Sequence, residues 1–399
     1  MAEHETEHQQ AQTTRRGPRL RWWIGMAMLA AAALLALLWL SNRLTLRRVD
    51  ERLAAIEAAR AIPDTENAAV IYNRLMKDYG KTQVPWGVVN VNTDTTPDKP
   101  WLSEDNPQLR MWLREQQPLI AGLLQASTKK QCRFPITGYP HNIPQRGARS
   151  VAMRSWAFLL LRAGNNDVAE GRIEPAVRKY LAAITMGVHH AQQPVVEDNI
   201  IGLCIESWPL NRTRTFVAEG PFAETDFKAI EAALPPIRNE WDNFSPQTAQ
   251  VDRLYRRKQR VNLLESVLRL FGRKPDTPDL EALHYVYLRT LASRRAMFIL
   301  IALRRCKDKT GQWPSTLDEI RGLLPAEALI DPLSGGEFVY RLTEDAFTLY
   351  STGRNRIDEN GEYGGTKKGR PDDLQIWPPW SRIFQQRKAA EKQSAKPND

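Results

Sequence analysis

Cysteine and histidine are scarce in this chain, which has three Cys and six His among 399 residues. Cys132, Cys204 and Cys306 lie far apart and do not match the paired spacing of a structural zinc site. At most one disulfide can form among them. Cys204 and Cys306 fall in apolar stretches typical of helices, so we expect both to be buried free thiols.

Short catalytic motifs are missing as well. The chain contains no G-x-S-x-G, no H-E-x-x-H, no Walker phosphate loop and no dinucleotide-binding fingerprint. The six histidines, none in a recognised setting, leave little material for general-base catalysis. We therefore expect a protein without enzymatic activity. The alternative is an anchored hydrolase whose carboxylates converge in an unrecognised active site.

Long blocks of like charge are also lacking. The formal charge is +10, but 56 basic residues are mixed with 46 acidic ones. Nucleic-acid binding would need a coherent basic stripe with aromatic residues, and only residues 253–260 approach that, so we expect no nucleic-acid partner. These residues belong to an amphipathic helix predicted over residues 246–271, whose basic face either is solvated or lies on anionic lipid.

One apolar run is long enough to cross a membrane, because residues 22–40 contain no charged side chain. At about 1.5 Å per residue this run spans roughly 28 Å as a helix, close to the hydrocarbon thickness of a bilayer. It is longer than the apolar core of a signal peptide and ends in Trp39 and Leu40 rather than small residues. We therefore expect a retained transmembrane helix, with the lipid bilayer as a partner.

The orientation of this helix depends on weaker signals. Arginines precede and follow the apolar run in equal number, so the positive charge that marks the cytoplasmic side is balanced. A short tail before a first membrane helix usually stays in the cytoplasm. We therefore predict a single-pass protein of the bacterial inner membrane, with its C-terminal part in the periplasm.

The pattern along the chain predicts a mainly α fold. Pro63 ends a helix that continues from the membrane segment, because proline is not tolerated in a helix interior. The predicted parts are a polar tail over residues 1–21, the transmembrane helix over 22–40, a juxtamembrane helix over 41–62, an α-helical domain over 63–276, an α+β unit over 277–379 and a disordered basic tail over 380–399.

Residues 157–190 are the clearest unit of the helical domain. Gly164, Gly171 and the A-x-x-x-Y-x-x-A run from Ala176 put small residues where two helices touch and large residues between them. This spacing is similar to one tetratricopeptide repeat, which would imply a peptide-binding hairpin. No second copy follows about 34 residues away, and a stable solenoid needs at least three, so an ordinary helical hairpin is the alternative.

His189 and His190 stand close in sequence to Glu197 and Asp198, which suggests a metal site. Adjacent residues point to different faces of a helix, so both histidines cannot face the same ion. We therefore interpret these four residues as polar side chains on the protein surface.

The α+β unit is predicted to begin with a long amphipathic helix. Ser315 with Asp318 fits a capping box for a short helix that follows. Alternating apolar residues then predict an antiparallel hairpin and a third strand. The predicted elements are helices over residues 279–309 and 315–324 and strands over residues 337–342, 347–351 and 374–377.

Five motifs follow one another in this unit: K-D-K-T-G-Q-W-P-S-T-L, D-P-L-S-G-G, F-T-L-Y-S-T-G, an acidic glycine loop, and D-D-L-Q-I-W. Their order and spacing over roughly residues 290–378 resemble the globular domain of the type II secretion major pseudopilin. The resemblance implies a long helix packed on a three-stranded antiparallel sheet. It covers under a quarter of the chain, and the membrane segment lacks the acidic residue that pseudopilins carry, so we expect no pilin-like filament.

In that family the final loop binds calcium. Carried over residue by residue, the resemblance points to Asn355, Asp358, Asp372 and Asp373, with backbone carbonyls near Ser351. Calcium takes six to eight oxygen ligands from a flexible loop, and the glycine-rich loop here offers carboxylates with few other side chains. The sequence departs from the family at Asn355, where an acid is common, and places three cations at positions 367, 368 and 370. The alternative is a surface loop built from turn residues.

Together, the anchor, the hairpin and the pseudopilin-like unit predict a non-enzymatic envelope protein. We expect a scaffold or protein-interaction module related to secretion-type machinery, with other envelope proteins as partners.

Overall fold

A computed structural model describes residues 18–85, 94–138, 141–261, 280–343, 346–364 and 369–379. The described chain is mainly helical, with one apolar N-terminal helix and a small antiparallel sheet, as the sequence predicted. It divides into two units, one of Met1–Arg52 with Arg257–Arg273 and the other of Leu53–Arg256 with Lys274–Asp399.

Helix α1 (Pro18–Ala59) contains the predicted membrane segment. By length and composition it can cross a membrane, and the tryptophans near both ends of the apolar run, Trp22 and Trp39, are 61% and 59% exposed. The helix continues without a break to Ala59, which confirms the predicted extension ahead of Pro63.

Nine further helices are described. They are α2 (Ala68–Tyr79), α3 (Pro107–Glu115), α4 (Gln117–Ser127), α5 (Ile143–Ala169), α6 (Ile173–Ala191), α7 (Val196–Glu219), α8 (Glu224–Ala233), α9 (Trp241–Val261) and α10 (Leu280–Thr310). A helical hairpin is present at the predicted place as the pair α5 and α6, although α5 begins earlier than residue 157, at Ile143. The helix predicted over residues 246–271 begins earlier, at Trp241, and its part beyond residue 261 lies outside the described residues.

Helices α6 and α7 touch through their backbones. A Cβ atom on Gly187 of α6 would lie 2.5 Å from the backbone nitrogen of Glu206 in α7. Gly164 of α5 gives the same kind of space to a neighbour, because a Cβ there would lie 2.7 Å from the ring of Tyr180. Small residues at the crossings therefore bring the three central helices together, as the hairpin pattern indicated.

The sheet contains strands β1 (Val339–Leu342), β2 (Phe347–Ser351) and β3 (Leu374–Trp377) in the order β1-β2-β3, with antiparallel neighbours. Two 3₁₀ segments, Leu317–Leu323 and Ala326–Leu329, precede it. The predicted capping box is shifted by one residue, because Thr316 and Glu319 form it instead of Ser315 and Asp318. The carboxylate of Glu319, not that of Asp318, accepts the backbone N–H groups of Ser315 and Thr316, at 2.7 and 3.2 Å.

One hydrophobic cluster contains residues from both the helical domain and the α+β unit, which were predicted as separate domains. It contains buried side chains from α7, α10 and the sheet, among them Val217, Ile301, Leu349 and Trp377. The domain boundary predicted at residue 276 falls outside the described residues. A second cluster is built mainly from α2 to α6 around Tyr72 and Trp156.

The interpretation of His189 and His190 as surface residues is wrong, because both side chains are buried. The His189 ring contacts the Tyr72 hydroxyl through Nδ1 at 3.0 Å and the Lys129 carbonyl through Nε2 at 2.8 Å. His190 Nε2 lies 3.0 Å from the hydroxyl of Ser150. Helix α6 is surrounded by other helices, so its two opposite faces are both interior.

The cysteine prediction is also wrong for Cys204, which is exposed on α7, while Cys306 is only partly buried. The buried free thiol is Cys132, which precedes α5. Apolar neighbours in sequence did not reveal which face of α7 lies outward.

Candidate functional site

The predicted calcium loop connects β2 to β3 and is held by glycine. Gly353 has φ +64°, and any side chain there would collide with the carboxylate and carbonyl of Asp372. Gly361 has φ +78° and approaches the Gln375 side chain in the same way. Glycine is therefore required at both positions, because the left-handed conformation and the close approach each exclude a Cβ.

Asp373 lies at the centre of this loop and has no exposed surface. Its Oδ2 accepts the backbone N–H groups of Glu359 at 3.0 Å and Gly361 at 2.8 Å. Burial raises the pKa of this carboxyl to about 6, and the charges of Glu359 and Asp358 act in the same direction, while the two backbone hydrogen bonds oppose them. The loop therefore encloses a carboxylate whose charge is poorly compensated.

The neighbouring Asp372 also has one carboxylate oxygen with a hydrogen-bond partner and, among the described residues, one without. Its Oδ2 accepts the backbone N–H of Arg354 at 3.0 Å. Within the part of the chain that the structure describes, Oδ1 of Asp372 and Oδ1 of Asp373 are buried oxygens without a hydrogen-bond partner. A buried acceptor without a partner costs free energy, and a hard cation is one group that could satisfy such an oxygen.

The other two predicted ligands are already engaged. Asp358 accepts the Tyr350 hydroxyl at 2.8 Å and forms an ion pair with Arg341 at 2.5 Å. The side chain of Asn355 accepts the backbone N–H of Ile357 and donates to Glu359, both at 2.7 Å. Among the described residues, Asp372 and Asp373 thus each keep one buried oxygen without a hydrogen-bond partner, whereas Asn355 and Asp358 have partners within or beside the loop.

Two acidic residues at this site were missed by the sequence reasoning. Glu359 accepts the backbone N–H of Asp372 at 3.0 Å. Asp331, fully buried, accepts the hydroxyl of Ser351 at 2.8 Å and so ties the preceding turn to the end of β2. Among the described residues, no group of three or more His, Cys, Asp or Glu side chains has the arrangement of a metal site.

A groove of about 640 Å³ lies on the helical part of the second unit. Its aromatic floor is the stacked pair Phe158 and Trp208, with ring centroids 4.7 Å apart, and Phe216, which carries the guanidinium of Arg212 at 4.3 Å. The lining residues are Thr95, Pro97, Asp98, Lys99, Pro100, Phe158, Leu161, Val168, Trp208, Asn211, Arg212, Thr215, Phe216, Glu219, Gly220, Pro221 and Pro379.

This groove combines apolar surface with a few polar groups, which is the usual make-up of a binding site. Burial raises the pKa of the Asp98 carboxyl at its edge, although the neighbouring Arg212 opposes the shift. The groove joins residues more than a hundred positions apart, so no local sequence signal pointed to it.

A comparison of this chain with protein families, with curated proteins and with solved structures finds no match in any of the three.

Proposed function

We propose that this chain is a non-enzymatic, single-pass membrane protein of the bacterial envelope that holds another envelope protein. The observation that carries the proposal is the aromatic and proline-lined groove between α5, α7 and residues 95–100. Prolines and stacked aromatic rings give a rigid apolar surface that loses little conformational entropy on binding. The long apolar helix α1 would anchor this surface to the bilayer.

A photo-crosslinking experiment on the full-length protein in membranes tests this function. Asn211 and Cys204 are both exposed positions on α7, but only Asn211 lines the groove. We expect a photoreactive residue at position 211 to capture one discrete protein, and the same residue at position 204 to capture none. Equal capture at both positions would contradict the proposal.

A blocking variant sharpens the test. Thr215→Arg would fill the groove with a long cationic side chain, while Cys204→Arg adds the same charge to the exposed side of the same helix. We expect the first substitution to abolish capture from position 211 and the second to leave it unchanged.

An anchored hydrolase is the second candidate, favoured by Asp98. The pKa of this carboxyl is raised by burial, and a carboxyl with a raised pKa beside a groove is a candidate general acid. Under this alternative, the captured partner would be cleaved by the parent protein and recovered intact with Asp98→Asn. Under the binding proposal, it is intact in both.

The predicted orientation places the large part of the chain in the periplasm, as in secretion-type envelope proteins. Cys204 is a natural reporter because its side chain is exposed, whereas Cys132 is buried. In spheroplasts, a membrane-impermeant maleimide is expected to label Cys204 without lysis. Labelling only after lysis would place this part of the chain in the cytoplasm.

Calcium is the proposed ligand of the loop between β2 and β3. The support is one buried oxygen on each of Asp372 and Asp373 that has no hydrogen-bond partner among the described residues. We expect calcium, but not magnesium, to raise the unfolding temperature saturably, because Mg²⁺ demands a smaller octahedral site. Asp373→Asn is expected to remove the response, and Asp78→Asn, at an exposed position on α2, to retain it. A response that survives Asp373→Asn would contradict this site.

A further inference from the structure

A second, more polar pocket lies where the end of α1 meets α6, α7 and α9. Its volume is about 420 Å³. It is lined by residues from four segments of the chain, 59–62, 131–133, 191–194 with 199, and 243–248. These described lining residues include two arginines and six carboxamides, but no Asp or Glu.

Most N–H groups of the Arg60 guanidinium have no hydrogen-bond partner among the described residues. Its Nη2 donates to the Gln192 carbonyl at 3.3 Å and to Gln193 Oε1 at 3.2 Å. Among the described residues, the N–H groups on Nε and Nη1 have no partner. The bond to Gln192 supports the C-terminal end of α6, but it occupies only one nitrogen of the guanidinium.

Arg133 adds a second cation to the same pocket. Its Nη1 donates to the Cys132 carbonyl and to Gln192 Oε1, both at 3.2 Å, and its Nη2 donates to Gln131 Oε1 at 3.2 Å. Every one of these acceptors is neutral. Within the part of the chain that the structure describes, the pocket therefore contains two half-buried guanidinium groups, and neither has an ion-pair partner.

The electrostatics agree with this geometry. Burial lowers the pKa of Arg60 to about 10, and the charge of Arg133 contributes to the shift, while Glu57 opposes it. The Glu57 carboxylate is itself occupied through Oε2, which accepts the backbone N–H groups of Ile136 at 3.1 Å and Thr137 at 2.8 Å. An anion in the pocket would relieve the repulsion between the two guanidinium groups.

The walls of the pocket are fixed before any ligand arrives. Gln193 donates through Nε2 to the carbonyls of Cys132 at 3.0 Å and His189 at 2.9 Å. Asn199 in turn donates to the Gln193 carbonyl at 2.6 Å. Because these side chains are already ordered, a ligand would pay little conformational entropy to organise them.

We propose that this pocket binds an oxyanion, a carboxylate or phosphate group, through the guanidinium groups of Arg60 and Arg133. The planar guanidinium matches both anions, since two parallel N–H groups can bond two oxygens at once. Asn243 and Gln247, which are exposed at the rim, would contact the rest of the ligand. The volume suits the charged end of a small molecule or of a lipid headgroup.

Inorganic phosphate and acetate are suitable probes. The full-length protein in phosphatidylcholine nanodiscs is titrated with each anion at ionic strength held constant with sodium chloride, and its unfolding temperature is measured. We expect a saturable rise for the parent protein. Arg60→Gln and Arg133→Gln are each expected to weaken the apparent affinity by about tenfold or more, since each removes charged hydrogen bonds. Arg110→Gln, at an exposed position on α3, is the matched control and is expected to leave it unchanged.

A rim variant keeps the test independent of folding defects. Gln247→Glu changes an exposed side chain and places a carboxylate beside the two arginines, so it is expected to fold and to abolish the response to both anions. A response that is absent in the parent protein, or equal in all variants, would overturn the site.

The source of the anion is distinguished by changing the lipid. If phosphatidylglycerol raises the unfolding temperature in the absence of phosphate, and Gln247→Glu abolishes that rise, the anion belongs to a lipid headgroup. A response to phosphate or acetate alone assigns the pocket to a soluble ligand. Both results support the same two arginines as its ligands.

Discussion

Mild acid is expected to destabilise this protein through His189 and His190. Both rings are buried in α6, and burial lowers the pKa of each to about 4. Each ring contacts a neutral hydroxyl, that of Tyr72 for His189 and that of Ser150 for His190. The folded state therefore keeps both rings neutral at a pH at which the unfolded chain binds protons.

The direction of the pH effect on stability follows from the histidine pKa in the folded state and in the unfolded state. Above about 6.5, the ordinary pKa of histidine, both states are neutral and the contribution to stability is complete. As the pH falls below that value, the unfolded state takes up protons first and stability is lost, until the folded state also titrates near 4. At pH 5.5 the loss is roughly 1.4 kcal/mol for each ring, or about 3 kcal/mol for the pair.

The assay is urea unfolding of the full-length protein in nanodiscs at pH 7.5 and pH 5.5. His190→Gln removes one titrating ring, so the loss between the two pH values is expected to fall by roughly 1.4 kcal/mol, whatever the variant does to stability at pH 7.5. His141→Gln is the control, because His141 is exposed. If His190→Gln leaves the pH dependence as it is in the parent protein, the burial argument is refuted.

Three further predictions follow from packing, charge burial and thiol exposure. Gly187→Ala is expected to lower the free energy of unfolding in urea by roughly 1–3 kcal/mol, because its Cβ would press on the backbone of α7. Gly147→Ala lies in open space on α5 and is expected to raise that free energy by about 0.5–1 kcal/mol. Arg294→Met is expected to cost roughly 3–5 kcal/mol by leaving the fully buried Glu206 without its partner at 2.6 Å, and the double change Glu206→Met with Arg294→Met is expected to recover most of that loss. In the native protein a maleimide is expected to modify Cys204 and to spare Cys132, whose thiol is buried and has a pKa raised to about 12; equal modification rates without denaturant would contradict the structure.

The elements of the fold were largely predictable because each depends on local spacing. The apolar run in α1, the small residues between α5 and α6 and the alternating strand residues are short-range patterns. The three strands occur where they were predicted, apart from the start of β1, which begins at Val339 rather than residue 337. Errors arose where a local pattern fits two outcomes, as at the start of the 3₁₀ segment Leu317–Leu323, where Ser315 with Asp318 and Thr316 with Glu319 have the same capping-box spacing.

Burial was less predictable than secondary structure. A helix in contact with neighbours on opposite sides has no outward face, so the polarity of His189 and His190 did not indicate exposure. Their hydrogen bonds to Tyr72 and Ser150 come from α2 and α5, which are distant in sequence. The same limit explains Cys204, because only the packing of α7 decides which of its faces is exposed.

The candidate sites also differ in how far local sequence could locate them. The loop between β2 and β3 could be located from sequence because its carboxylates and glycines lie within about twenty residues of one another. The groove and the arginine pocket could not, since each is assembled from four or more separate segments. Arg60 and Arg133 stand 73 positions apart, and neither belongs to a motif.

Helix α10 is the element that makes these parts interdependent. Arg294 on α10 pairs with Glu206 of α7, Arg304 donates to the Gly220 carbonyl at 2.9 Å, and Arg305 holds Glu231 of α8 at 2.7 Å. Farther along the chain, the buried sheet residues Leu349 and Trp377 belong to the same hydrophobic cluster as α10 and α7. If residues 277–379 were excised, α10 would expose that apolar face and three arginines would lose their partners. The unit over residues 277–379 is therefore expected to need the helical part of the chain in order to fold, although its sequence motifs form a separate block.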